Sequence, residues 1–196
     1  KNREGLNTEV IYLSQNLHRT PEKMKYFIQE KLDNVDETYS FIVLGYGLCS
    51  NGVVGVKAPK QGLYVPKVHD CIALYLGSRK RYNEVFQQEP GTYYLTKSWI
   101  EDKVDPLGLM ENEYKQRVGE DTAKWAIEQE IKHYKYICYI NTNVEDDEKY
   151  RERAKQNARV FNKEFKEIKG SDNFISKMIK GPYNNNDFIY IKPNNV

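Results

Sequence analysis

Short apolar runs alternate with amphipathic stretches along the chain, with no internal repeat and no long linker. EVIYLSQ (residues 9–15) reads as a strand. Pro21 then opens PEKMKYFIQEKL, with Thr20 as its N-cap and Met24, Phe27, Ile28 and Leu32 at helical spacing. SFIVLGYG (residues 40–47) is a continuous apolar run ending in glycines, the pattern of a strand buried on both faces of a parallel sheet. LYVPKVH (residues 63–69) is a further strand, in which Pro66 points to an edge or a bulge. The stretch DCIALYLGSRKRYNEVFQQ reads as helical, with a break near Gly77-Ser78.

TYYLTKSW (residues 92–99) reads as a strand after Pro90-Gly91, residues 111–132 as a long charged helical segment, and YKYICYINT (134–142) as another strand. DDEKYRERAKQNARVFNKEF follows as an amphipathic helix carrying Tyr150, Ala154, Ala158 and Phe161 on one side. FKEIKG, the short helix NFISKMIKG and a final strand DFIYIKP complete the pattern. Strands alternating with helices imply an α/β fold, a single three-layer domain over residues 1–196 with a mostly parallel central sheet flanked by helices. The last helix–strand pair is equally compatible with an antiparallel edge. In such sheets ligands bind outside the carboxyl ends of the strands, where residues 47–52 and 69–71 fall.

Composition narrows the partners. The chain has 196 residues, 39% hydrophobic and 30% charged, the profile of one ordinary soluble domain. A net charge of +2 gives no pull toward nucleic acid or an anionic membrane surface. No apolar run approaches a membrane span, and no signal-peptide pattern is present. Three cysteines are an odd number and give no disulfide framework, so a reducing, cytoplasmic setting is expected. The first residue is Lys1 rather than Met, so a preceding segment is expected to be missing.

The chemistry concentrates in two segments. Cys49 lies in GYGLCSNG, just after a strand, in a loop with Gly45, Gly47, Gly52 and Gly55. Glycines there permit tight turns and close backbone approach to a ligand, which makes Gly45, Gly47, Ser50, Asn51 and Gly52 candidate cofactor contacts. The loop is not a phosphate cradle, because Val53 follows Gly52 where Lys would be needed and Ser50 occupies the third glycine position of a dinucleotide fingerprint. A plain Asn51-Gly52 turn beside an inert cysteine is the competing reading.

The second segment is His69-Asp70-Cys71 at a strand-to-helix junction. In extended backbone, residues i and i+2 face the same side, so His69 and Cys71 would meet one point. If Asp70 caps the next helix instead, Cys71 falls in its first turn, where thiolate is favoured. Cys49, His69 and Cys71 then form a donor set for a borderline-soft metal such as zinc, with one position open, and His18 is a further contributor from SQNLHRTPE. An iron–sulfur cluster is a variant that needs more thiolates. A metal-free alternative makes Cys49 or Cys71 a nucleophile with His69 as base and Asp70 beside it. Cys138, in the middle of YICYI, reads as a small buried hydrophobe, and His133 as a surface residue.

The stretches LGYGLCSNGVVG, VPKVHDCIALYLGSRKRY and PGTYYLTKSWIE, with YINTNVEDDEKY and DFIYIKP in the second half, resemble the bacterial and archaeal proteins called domain of unknown function 1638. The resemblance covers nearly the whole chain. It implies an association with anaerobes and with corrinoid-dependent methyl transfer or one-carbon metabolism. The expected partner is a small-molecule substrate or a corrinoid protein, with a homo-oligomer as a further expectation. An enzyme in that setting would be methyltransferase-like, and a non-catalytic module serving a corrinoid protein is the remaining alternative. It also implies an earlier strand carrying a further cysteine, ahead of Lys1.

Overall fold

The computed structural model describes residues 8–49, 51–143 and 147–196. In chain order its helices and strands are α1 (Pro21–Asp33), β1 (Ile42–Val43), β2 (Leu63–Pro66), α2 (Ile72–Tyr75), α3 (Arg79–Gln88), β3 (Thr92–Leu95), α4 (Lys97–Glu101), α5 (Pro106–Leu109), α6 (Lys115–Val118), α7 (Glu120–Glu130), β4 (Tyr136–Asn141), α8 (Asp147–Val160), β5 (Glu164–Lys169), α9 (Asn173–Lys180) and β6 (Phe188–Ile191). A 3₁₀ turn occupies Gln15–Arg19 and a π-helical turn Met110–Tyr114. Among the described residues no helix is long and apolar enough to cross a membrane. The mixed α/β class expected from the alternation holds. The chain forms two compact units, one ending at Arg79 and resuming at Asp172–Val196, the other spanning Lys80–Ser171.

The second unit contains the parallel sheet flanked by helices, in the order β3-β4-β5. Its central strand β4 buries Ile137, Cys138, Tyr139 and Ile140, as a strand covered on both faces must. The strand expected over residues 92–99 stops at Leu95, because the Thr96 side chain accepts a hydrogen bond from Trp99 N and starts α4. The long helix expected over 111–132 is divided at Gly119, whose φ of +81° belongs to the left-handed region.

A buried polar cluster ties α5 to α8. The Asp105 carboxylate accepts from Asn157 at 2.7 Å, from Arg153 Nε at 3.1 Å and from Gly108 N, while Asn157 Oδ1 accepts from Leu107 N at 2.8 Å. Removing the carboxylate leaves the Asn157 amide nitrogen with Arg153 O, the Arg153 guanidinium with Glu111 as its anion, and the Gly108 N–H without that acceptor. Asp105→Ala is therefore expected to lose about 2 kcal/mol of unfolding free energy in urea. A loss below about 1 kcal/mol would show the cluster to be dispensable.

The first unit carries the site. Its sheet has the order β1-β2-β6, with β1 parallel to β2 and β6 antiparallel at the other edge. Among the described residues the strands fall into two sheets of three, β1-β2-β6 and β3-β4-β5. Met24, Ile28 and Leu32 of α1 pack against Leu44, Val53, Val56 and Leu63. Phe27 leaves that stripe and is exposed. β1 is shorter than the run 40–47 and only half-buried, because it is an edge strand paired on one side. Pro66 lies on the central strand of this sheet rather than an edge, at its last position, where a missing N–H interrupts least. Residues 8–14 are not a strand, and Val10, Ile11 and Tyr12 are exposed there.

Candidate metal centre

The parallel pairing of β1 with β2 sets up the site. Ile42 stands opposite Leu63 and Val43 opposite Tyr64, and the bonding continues past the strand ends. Leu44 N donates to Tyr64 O at 2.9 Å, Leu48 N to Val68 O at 3.1 Å and Cys49 N to His69 O at 3.0 Å. The loops after both strands are therefore stitched together by backbone, and each delivers a cysteine. Packing tightens the seam: a Cβ on Gly47 would lie 2.7–2.9 Å from the Cα, C and N of Asp70. Only a residue without a side chain permits this approach.

Two thiols meet as a result. Cys49 Sγ and Cys71 Sγ are 3.3 Å apart, and Cys71 Sγ is 3.8 Å from His18 Nε2. One ligand atom from each of His18, Cys49 and Cys71 lies within 4.8 Å of the others, and this is the group of three metal-ligating side chains found among the described residues. His18 comes from the 3₁₀ turn Gln15–Arg19, which Ser14 starts by accepting from Asn16 N. Its ring stacks on Tyr46, with centroids 5.9 Å apart and planes at 20°.

The expected donor His69 is placed differently. It is exposed and outside the group, and what it supplies is its backbone carbonyl to Cys49 N. The same-side rule fails because the chain leaves extended geometry at Pro66: Val68 N bonds back to Pro66 O, and Cys71 is helical at φ −72°, ψ −11°. Asp70 accepts from Ile72 N at 2.8 Å, so its side chain starts the α2 turn. α2 has only four residues, too short to charge its N-terminus appreciably.

The glycine loop is shaped by protein contacts. A Cβ on Gly52 would lie 2.8 Å from Met24 Sδ, and Gly52 N bonds to Cys49 O. Asn51 and Cys49 both take positive φ, 66° and 43°, in the turn that lifts the thiol toward Cys71. Gly45 is exposed, with Met178 Sδ 4.0 Å from where its Cβ would be. Ser50 lies outside the described residues. Sequence reasoning passed over Tyr46. Its place in GYG between two apolar runs carries no sign that its ring would lie on His18.

Electrostatics separate the two thiols. Cys71 is held well below the ordinary thiol range, first by the hydrogen bond from Cys49, then by His18 and the Gly47 backbone N–H, against its burial. Cys49 is pushed far up, first by that same hydrogen bond and then by burial. Within the pair the surroundings favour the anion on Cys71 over Cys49. The Tyr46 phenol is raised to about 12, chiefly by burial and then by the nearby sulfurs, so it remains a hydrogen-bond donor. Cys138 sits in mid-strand β4, where burial raises it to about 12, and its thiol donates to Tyr139 O at 3.9 Å.

In metal-free protein, iodoacetamide is expected to label Cys71 first. Because its acid dissociation is lowered, its rate should stay level through neutral pH and fall only as pH drops through that lowered value. Cys49 and Cys138 should lag and speed up only in alkali. Three equally slow thiols would contradict this charge distribution.

The donor set can be tested against zinc. Two thiolates on a tetrahedral zinc with bonds of about 2.3 Å stand about 3.8 Å apart, and a thiolate and an imidazole nitrogen about 3.6 Å. The observed 3.3 and 3.8 Å are within about half an ångström of those values, and all three ligand atoms lie within 4.8 Å of one another. Three protein ligands leave a fourth position, the composition of catalytic rather than closed structural sites.

The family profile described as a protein of unknown function, domain of unknown function 1638, matches residues 12–179. No curated protein matches the chain, and no solved structure does.

Proposed function

Because the chain belongs to the domain of unknown function 1638 family, whose description carries no activity, its function is read from its own side chains, and we propose that it binds zinc through His18, Cys49 and Cys71 with the fourth position reserved for a substrate. The observation that carries this reading is the convergence of two thiols and one imidazole from three separate chain segments. Such convergence is costly to build, since it brings a thiolate and a strained Cys49 backbone into a largely buried place. A bound cation would offset that cost.

When bound, zinc would lower the acid dissociation of a thiol or water in the open position to near neutrality. Cys49 and Cys71 would contribute two negative charges, and His18 would hold its ring in place by stacking on Tyr46. The protonated Tyr46 phenol lies close enough to the sulfurs to be raised by their charge, where it can donate to a sulfur or a substrate. A small thiol that accepts a methyl group suits these residues. Corrinoid-linked methyl transfer is the setting we propose for it, with a corrinoid protein as methyl donor.

Metal analysis of anaerobically purified protein tests the first step. About one equivalent of zinc per chain is expected, lost in the Cys49→Ser and Cys71→Ser variants. Less than about half an equivalent, unchanged by those substitutions, would sink the reading. A second reading rests on the Cys71 thiolate beside His18 at 3.8 Å, which is also the pairing of a metal-free cysteine nucleophile. It is favoured if stoichiometric zinc is absent and Cys71 labels fastest.

A further inference from the structure

The two cysteines can react with each other as well as with a metal. We infer that Cys49 and Cys71 form a reversible disulfide with hydrogen peroxide as oxidant, and that this bond and metal binding exclude one another. The site's control by oxidation rests on the zinc reading; the disulfide itself does not.

Geometry carries the inference. The sulfurs are 3.3 Å apart, and a disulfide needs about 2.0 Å. The sulfurs are therefore about 1.3 Å from bonding distance. The backbones are already locked in register by Leu48 N to Val68 O, Cys49 N to His69 O and the Gly47–Asp70 contact. The third cysteine, Cys138, belongs to the other compact unit.

Cys71 is the more exposed residue of the two, half-buried where Cys49 is 7% exposed, and the reaction is written from its side; the products are the same with the two roles exchanged. The Cys71 sulfur, as thiolate, attacks one peroxide oxygen; the O–O bond breaks, and the departing hydroxide takes a proton to become water. Cys71 is now a sulfenic acid. The Cys49 sulfur attacks it, the S–S bond forms, the S–O bond breaks, and the second water leaves with the Cys49 proton. Two thiols lose two electrons together, and one peroxide is reduced to two waters.

The disulfide removes two of the three metal donors, since neither bridged sulfur is a thiolate any longer. Zinc affinity is therefore expected to fall at least about 100-fold on oxidation and to return on reduction. Bound zinc should in turn slow the oxidation by occupying both sulfurs.

The test treats chelator-stripped and zinc-loaded full chain with hydrogen peroxide. Stripped protein should yield a peptide pair joined through Cys49 and Cys71, lighter by two hydrogens and separated by dithiothreitol. Zinc-loaded protein should react more slowly and release its zinc to a chromogenic chelator as the link forms. In Cys49→Ser protein, Cys71 should stop at a sulfenic acid that dimedone traps. Oxidation of each cysteine to sulfinic acid without a joined peptide, or thiols left alkylatable after peroxide, overturns the proposal. If the joined peptide forms but reduced protein takes up no zinc, the metal reading fails and the dithiol chemistry stands. If zinc binds and no link forms, the reverse holds.

Discussion

Cys71→Ser is expected to weaken zinc binding by at least about 100-fold in a competition titration against a chromogenic chelator. The reasons are cumulative. Cys71 is the shared member of both short contacts, 3.3 Å to Cys49 and 3.8 Å to His18. Its anion is also the favoured one of the pair, stabilised first by Cys49 and then by His18 and Gly47. Serine occupies nearly the same volume, but its oxygen is a harder donor and stays protonated at neutral pH. Loss of a donor ordinarily exceeds the 10–100-fold typical of an outer-shell group, hence the stated minimum of about 100-fold. His18→Ala should lose a comparable factor, and His69→Ala should leave affinity unchanged, because His69 lies outside the donor group and meets the site through its backbone carbonyl. An effect of His69→Ala as large as that of His18→Ala would return the imidazole donor to the position first expected from sequence.

Gly47→Ala is expected to be the most damaging single-methyl change in the first unit. Its Cβ would be within 3.0 Å of three Asp70 backbone atoms, none of which can rotate away. Either the two loops separate or the added methyl is accommodated by strain, at about 2–3 kcal/mol. Separation also parts Cys49 from Cys71, so stability and zinc affinity should fall together. Gly45→Ala is the matched control, since the nearest atom to its Cβ is the flexible Met178 sulfur at 4.0 Å. It should be neutral or stabilise by up to about 1 kcal/mol by restricting the unfolded chain. Thermal unfolding with and without zinc reads both effects. If Gly47→Ala matches Gly45→Ala in both, the seam between the loops is looser than described.

How much of this was readable beforehand differs by residue. Continuous apolar runs ending in glycine and proline identified β1 and β2 and brought Cys49 and Cys71 to one end of a parallel pair. That pairing follows from local pattern, because consecutive strands tend to be neighbours. The imidazole did not follow. His69 shares a tripeptide with Cys71, but the turn at Pro66–Val68 ends extended geometry before it. His18 reaches the thiols through the position of a 3₁₀ turn that only packing of α1 fixes, through Met24, Ile28 and Leu17. Residues 9–15 have strand composition, yet residues 8–14 form no strand, because propensity supplies no pairing partner. The division of six strands into two sheets was equally invisible: alternation of helices and strands marks the elements but not which strands join one ladder.

X-ray absorption at the zinc edge of the anaerobically loaded protein tests the ligand set most directly. Two sulfur neighbours near 2.3 Å and one imidazole nitrogen near 2.0–2.1 Å, with a light atom completing the shell, are expected. Losing one sulfur in Cys71→Ser and the imidazole signal in His18→Ala would assign each neighbour. A shell of oxygen and nitrogen alone, unchanged by those substitutions, would contradict a metal centre at His18, Cys49 and Cys71.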